Sequence, residues 1–241
     1  MKFILLLILC SQFLFSEECK EEKERFTVLE LFTSEGCSSC PSAEKFLNEL
    51  SSKDTKNIFP LEFHVTYWDY LGWKDPYAQK QFTERQNFYA AKKLFSSIYT
   101  PQLYLNGKKD FVGSNRTHIL KEMEREMAIK TFQSILVNSN LVGSNIETDY
   151  KINCSLGEEW IHFAIVQKKI ISKVTKGENA GELLKHESVV RKLVTLDAKD
   201  KGKLSISLKG LEENLDDLTM IVYTQNKQSL EITQATRKQI R

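Results

Sequence analysis

The sequence has almost no net charge. Its 34 Lys+Arg stand against 32 Asp+Glu, leaving +2 at neutral pH, a field too weak to hold a phosphate backbone or an acidic membrane at long range. Nucleic acid is therefore not expected as a partner. Internal repeats and low-complexity runs are absent, and 41% hydrophobic with 27% charged residues is the makeup of a folded globular chain, which excludes disordered and fibrous classes. No second CxxC and no histidine pair at ligand spacing accompanies Cys37 and Cys40. A zinc site needs such a set, so no metal is expected, and no cofactor. A chain of 241 residues forms one large domain or two ordinary ones, and two are expected.

Long hydrophobic runs are also missing, except at the start. Met1 and Lys2 precede an unbroken apolar run over 3–9, extended by Phe13, Leu14 and Phe15 to Ser16. At about 13 residues, where a bilayer span needs about 20, this reads as a secretory signal peptide over 1–16 rather than an anchor. The polar segment 17–25 follows at once. Cys10 lies behind the bulky Ile8 and Leu9, and Cys19 follows Glu17 and Glu18. Neither is a good lipid-attachment context, so a membrane-anchored lipoprotein is the weaker alternative to a periplasmic or secreted protein.

Export changes how cysteine is read. Without Cys10, the remaining Cys19, Cys37, Cys40 and Cys154 are an even number in a compartment that permits disulfides. Cys19 and Cys154 are candidates for a structural bridge. Cys37 and Cys40 lie between a β-branched, apolar strand signal over 27–33 and a helix signal with Ala43, Phe46, Leu47 and Leu50 on one face; Pro41 falls in the first turn, where its missing N–H costs nothing. Free N–H groups and the positive end of a helix dipole stabilise a thiolate, the reactive form. Cys37 is thus expected as an exposed nucleophile and Cys40, one turn into the helix, as the resolving thiol.

A second strand signal spans 59–67, a hairpin signal spans 102–112 around Gly107, and Ser114 or Asn115 can cap a helix bearing Ile119, Leu120, Met123 and Met127. Between strand and hairpin lies a helical insert over 67–95, with a helix over 76–94 anchored by Phe82, Tyr89 and Phe95. This order, the CxxC at the first strand–helix junction and Thr100-Pro101 ahead of the hairpin together resemble the thioredoxin fold. The resemblance implies that Pro101 is cis and faces the CxxC, leaving a backbone edge able to pair with a bound peptide.

In detail, LELFTSEGCSSCP (29–41), HVTYWDYLGWKDP (64–76), YTPQ (99–102), Asn106-Gly107 and FVGS (111–114) are similar to the DUF1223 family of exported thioredoxin-like bacterial proteins. The likeness covers roughly 26–135 and continues more weakly through 177–181 and 186–191. It implies a thioredoxin-like domain with a β-rich carboxyl-terminal region but no established reaction. Thr66 stands where an acidic residue is common in the family.

The second half reads independently as β, with strand signals over 146–155, 160–167, 169–175, 189–196, 204–208 and 218–224. The fold expectation is an α/β thioredoxin-like domain over 24–136, a turn-rich linker over 138–145, and a smaller β-rich, sandwich-like domain over 145–236.

Other candidates have two readings each. His64 is a proton carrier near the thiols or, more ordinarily, a hydrogen-bonded structural histidine. Trp68, Asp69, Tyr70 and Trp73 either wall a substrate groove, with Thr100, or pin the insert to the sheet. His186 and Arg191 are read as contacts between domains, and His118 and His162 carry no signal. Two functions follow. In the first, the protein is a thiol–disulfide oxidoreductase acting on protein thiols or disulfides with Cys37, Cys40 and Pro101. Ser38-Ser39 carries no basic residue and Glu35 is close by, so a strongly oxidising potential is not expected. In the second, it is a non-catalytic envelope binding module whose Cys37–Cys40 pair is a structural disulfide. The redox reading requires an accessible sulfur facing the prolyl segment.

Overall fold

The computed structural model describes residues 25–52, 56–92, 97–154 and 157–240. The leader over 1–16, Cys19 and Phe95 lie outside the described residues. The first half runs β1 (Thr27–Thr33), α1 (Pro41–Ser52), β2 (Ile58–His64), a 3-10 turn (Thr66–Leu71), α2 (Lys80–Lys92), β3 (Gln102–Leu105), β4 (Lys109–Val112) and α3 (Arg116–Glu126). β1 is central, parallel to β2 and antiparallel to β3. It is buried along its whole length, which is why its sequence is nearly continuous in apolar and β-branched residues rather than alternating with polar ones. Leu29 and Leu31 meet Ala43, Phe46, Leu47 and Leu50 of α1 and Ile119 and Met123 of α3. Val28 and Phe32 point the opposite way, among Phe63, Phe82 and Tyr89. Truncating Leu31 to Ala in so closed a layer would cost about 2–5 kcal/mol.

The second half contains β5 (Ser134–Val142), β6 (Asn145–Asn153), β7 (Glu159–Gln167), β8 (Ile170–Lys173), β9 (Leu183–His186), β10 (Val189–Asp197), β11 (Lys201–Ser207), a 3-10 turn (Glu212–Asp217), β12 (Leu218–Asn226) and β13 (Ile232–Gln239). The two halves, expected as a thioredoxin-like domain and a sandwich-like one, are joined through a shared sheet. Strand β10 pairs in parallel with β2 through Val189 and Glu62, and the Glu62 N–H donates to Ser188 O at 2.8 Å. The result is one eight-stranded sheet in the order β13-β12-β7-β10-β2-β1-β3-β4. The physical reason is the outer edge of β2. A strand buried on both faces leaves its edge N–H and C=O groups without water, and another strand satisfies them.

The supposed linker over 138–145 is also strand. It forms most of β5 and the tight turn into β6, and its polar residues reflect the solvent face of an edge strand. Strands β5, β6 and β11 make a separate three-stranded sheet. Its Ile135, Ile146, Tyr150, Ile152 and Ile206 pack on Ile161, Phe163, Ile165, Met220 and Val222 of the large sheet. The halves interlock elsewhere too. Gly107, in the β3–β4 turn at φ +66°, leaves only 1.9 Å between the place a Cβ would occupy and the carbonyl oxygen of Leu230, so glycine is required there.

Candidate functional site

The β1–α1 turn is tight. Cys37 N–H donates to Ser34 O at 3.1 Å and Cys40 N–H to Cys37 O at 3.1 Å. Cys37 and Cys40 form a disulfide with Cα atoms 5.4 Å apart. Cys40 does not stand one turn inside the helix as expected. It precedes Pro41, and its carbonyl accepts from Ala43 and Glu44 N–H, so it occupies the N-cap, where the first helical bonds begin. The second correction is larger. Cys37, expected to be exposed, has no accessible surface, and neither has Cys40, although Ser38 and Ser39 between them are exposed.

The loop over 174–182, which connects β8 to β9, crosses this turn. Asn179 Nδ2 donates to Glu35 O at 2.8 Å and to Cys37 O at 2.9 Å. Glu178 Oε2 accepts from Ser38 N at 3.0 Å and from Ser38 Oγ at 2.7 Å. Those two bonds hold the exposed Glu178 carboxyl below its ordinary value. The β8–β9 hairpin is fastened to α1 as well, by Asn48 Nδ2 to Lys185 O at 2.7 Å and Glu187 N to Asn48 Oδ1 at 3.0 Å.

Pro101 follows a cis peptide bond and is buried. A Cβ added at Gly113 would lie 3.0 Å from Ala43 Cβ and 3.2 Å from Pro101 Cβ, which places Gly113 between the prolyl bend and the first turn of α1. Thr100 Oγ1 accepts from Trp68 Nε1 at 2.7 Å. Trp73 Nε1 donates to Glu35 Oε2 at 2.8 Å, and Asp69 Oδ1 accepts from Asp75 N at 3.3 Å. Trp68 and Trp73 thus spend their N–H groups fastening the segment after β2 to the CxxC turn and the prolyl segment. Tyr70 is 79% exposed and takes no part. Thr66 is tied to Thr83 of α2, Oγ1 to Oγ1, at 3.0 Å.

Directly behind the turn lies a buried cluster that the sequence reading saw only through its histidines. It contains Glu35, Glu44 on α1, Glu62 and His64 on β2, Asp75, and His186 at the end of β9, all buried. His64 Nδ1 meets Asp75 Oδ2 at 2.8 Å, and that oxygen also accepts from Glu35 N at 2.9 Å. His186 Nε2 meets Glu35 Oε1 at 3.3 Å. The other ring nitrogens turn toward Glu62. His186 Nδ1 lies 3.4 Å and His64 Nε2 4.0 Å from Glu62 Oε2, and His186 Nδ1 is 3.7 Å from Glu44 Oε2. Thr33 Oγ1 donates to the other Glu44 oxygen at 2.5 Å.

Burial alone would push both imidazoles toward neutrality. For His64 the charge and hydrogen bond of Asp75 outweigh it and raise the pKa to about 10. For His186 the carboxylates, Glu44 foremost, raise it well above the ordinary value. Burial pushes Glu44 up, and Glu62, despite burial, is held down by the two histidines. The pocket thus sets four carboxyl groups around two imidazoles, away from water. Glu62 and His64 were findable in sequence, because they share one face of an otherwise apolar strand by the period of two. Glu35, Glu44 and Asp75 join them only through the fold.

A second buried network occupies the opposite face. Glu30 of β1 accepts from Arg85 Nε at 2.9 Å, from Tyr223 Oη at 3.0 Å and from the Tyr89 hydroxyl. It ties α2 and β12 to the central strand. His162 lies nearby between Thr195 Oγ1 at 2.8 Å and Gln225 Oε1 at 3.1 Å. Arg191 stacks on Tyr77 at 5.2 Å and its side chain bonds Gln167, while its carbonyl accepts from Gln79 Nε2 at 2.9 Å. His186 and Arg191 therefore both join the two halves of the chain. Cys154 is disulfide-bonded; Cys19, its candidate partner, lies outside the described residues. No helix among the described residues is long and apolar enough to cross a membrane.

Among solved structures, the chain is similar to a structural genomics target protein of Agrobacterium tumefaciens, at 27% identity and a TM-score of 0.66, over 89% of this chain and 95% of that one. It is also similar to HBP35 of Porphyromonas gingivalis, at 15% identity and a TM-score of 0.61, over 90% of this chain and 76% of the other. The latter likeness is one of fold alone. No curated protein matches the sequence. The profile of a family described as a protein of unknown function, DUF1223, matches residues 28–225, and the chain belongs to that family.

Proposed function

We propose that this is an exported, thioredoxin-like thiol–disulfide exchange protein whose redox pair, Cys37 and Cys40, has no accessible surface in the closed form and gains the access that exchange requires only when the loop over 174–182 opens. The observation that carries the reading is a closed disulfide set in the turn at the mouth of α1, with the cis-Pro101 bend on the same side of the sheet, across Gly113 from that helix's first turn. The β2-β1-β3-β4 order, with β1 and β2 parallel and β3 and β4 a hairpin, supports the thioredoxin-like assignment.

Loop arithmetic weighs against a purely stabilising bridge. Closing a ring of four residues restrains the unfolded chain by only about 2 kcal/mol, against about 3 for a 15-residue loop. In exchange, a partner thiolate attacks Cys37 Sγ, the Cys37–Cys40 bond breaks, and Cys40 leaves with the electron pair. The mixed disulfide then passes to a second partner thiol, so that the partner is oxidised and the pair reduced. Run backward, the same steps reduce a partner disulfide.

The second reading, a binding module with a structural disulfide, is favoured by the complete burial of both cysteines. One experiment separates them. The Cys40→Ala variant, expressed with export intact, is expected to trap disulfide-linked partners on Cys37, and wild-type protein to catalyse insulin reduction. No adducts and no catalysis overturn the exchange reading and leave the binding module.

A further inference from the structure

We propose that Glu62, His64 and His186, with Glu44 as fourth donor, bind one divalent transition-metal ion, zinc by ligand type, in a closed structural site behind the Cys37–Cys40 turn. Four buried side-chain atoms converge there without a hydrogen bond of normal geometry: both oxygens of Glu62, His64 Nε2 and His186 Nδ1. Such orphan groups are rare in folded proteins and costly to bury. One ligand atom from each of Glu62, His64 and His186 falls within 4.8 Å of the others.

The spacing suits the ion. Donors about 2.0–2.1 Å from a tetrahedral zinc sit about 3.3 Å apart. His186 Nδ1 and His64 Nε2 are 3.4 and 4.0 Å from Glu62 Oε2, and Glu44 Oε2 is 3.7 Å from His186 Nδ1, so the three-residue group contracts on binding and Glu44 swings in to complete it.

The outer partners point the same way. A metal-bound imidazole characteristically gives its other N–H to a carboxylate, which fixes the ring and raises its basicity. Here both rings do so, His64 Nδ1 to Asp75 and His186 Nε2 to Glu35. An all-proton alternative, with both rings charged, leaves the His64 Nε2–H without a hydrogen-bond acceptor, 4.0 Å from Glu62 Oε2. Four buried carboxyl groups, Glu35, Glu44, Glu62 and Asp75, surround the two imidazoles, and a proton and a divalent ion compete for the same ring lone pairs. Two imidazoles disfavour calcium and magnesium, which take oxygen ligands. The ligand residues are at most 2% exposed, which leaves no open coordination position for a substrate and makes the role structural. The ion would tie α1, β2 and the β8–β9 hairpin together.

The test uses the exported chain without residues 1–16, oxidised until no free thiol titrates, so that thiolates contribute nothing, and no polyhistidine tag. Zinc titration of EDTA-treated protein is expected to load roughly one ion per chain by elemental analysis, and cobalt to give tetrahedral visible bands. At free zinc about a hundred times Kd, Tm should rise by roughly 5–10 °C. His186→Ala and Glu62→Gln should lose the bound ion and the Tm shift, while His118→Ala, on the exposed face of α3, should keep both. Nitrogen-15 NMR of the wild-type rings needs no variant: zinc should shift His64 Nε2 and His186 Nδ1 to metal-bound values. Sub-stoichiometric loading with no Tm shift, or both rings remaining doubly protonated at saturating zinc, overturns the site. These outcomes are independent of whether Cys37 exchanges disulfides.

Discussion

If the loop over 174–182 is what keeps reductant from the disulfide, Asn179→Ala should open it. The side chain contributes two buried hydrogen bonds, to Glu35 O and Cys37 O at 2.8 and 2.9 Å. Each is worth about 0.5–1.5 kcal/mol net, so together they hold the loop down by about 2 kcal/mol. Truncation removes both and leaves the Glu35 carbonyl without a donor in the closed form, while Cys37 O keeps its bond from Cys40 N–H; in the open form water serves both. When opening is fast compared with reduction, the reduction rate follows the open fraction. A 2 kcal/mol shift then raises it about 30-fold. The assay is the rate of Cys37–Cys40 reduction by dithiothreitol, quenched with a mass-adding alkylating agent. Repeating it in low urea separates local opening, which depends weakly on urea, from global unfolding, which depends steeply. A variant reduced within about twofold of the wild-type rate would refute the gate and strengthen the reading of Cys37–Cys40 as a structural bridge.

Three further outcomes follow from the structure. The Ser38 bonds hold Glu178 below its ordinary carboxyl value of 4.5, so this latch is complete above that value and is lost as pH falls through the lowered one. Reduction by a phosphine should accordingly accelerate toward acid pH in wild type more than in Glu178→Gln, and identical profiles would sink the latch. Arg85→Met strands the fully buried Glu30 carboxylate and should destabilise the chain by about 3–5 kcal/mol in urea unfolding. The double variant with Glu30→Gln should recover part of that loss, and additive losses would show that the pair is not coupled. A fragment ending at residue 136 should show no cooperative melting by circular dichroism, because it exposes the β2 edge and uncovers Val28, Phe32 and Phe63 from Val190, Ile221 and Tyr223. A folded fragment would restore the two-domain view.

The comparison between sequence and structure turns on range. Local pattern was enough to place β1, α1, β2 and the β3–β4 hairpin, because apolar periodicity, Pro41 and Gly107 act on neighbouring residues. It also located most second-half strands, though β5, β9 and β13 were missed. Strand β5 was hidden by the polar residues of a solvent-facing edge, and β9 by its short length.

What the amino-acid order determined by itself is the set of elements and the seating of Cys37 and Cys40 between a strand and a helix, since both depend on backbone propensities within a few residues. What only tertiary structure decided is that the two halves share a sheet, that the pair is covered, and that Glu35, Glu44, Glu62, His64, Asp75 and His186 form one buried cluster. Hydrogen-bonding edges and buried charges choose partners by distance in space, and no local periodicity encodes that His186 folds back onto β2.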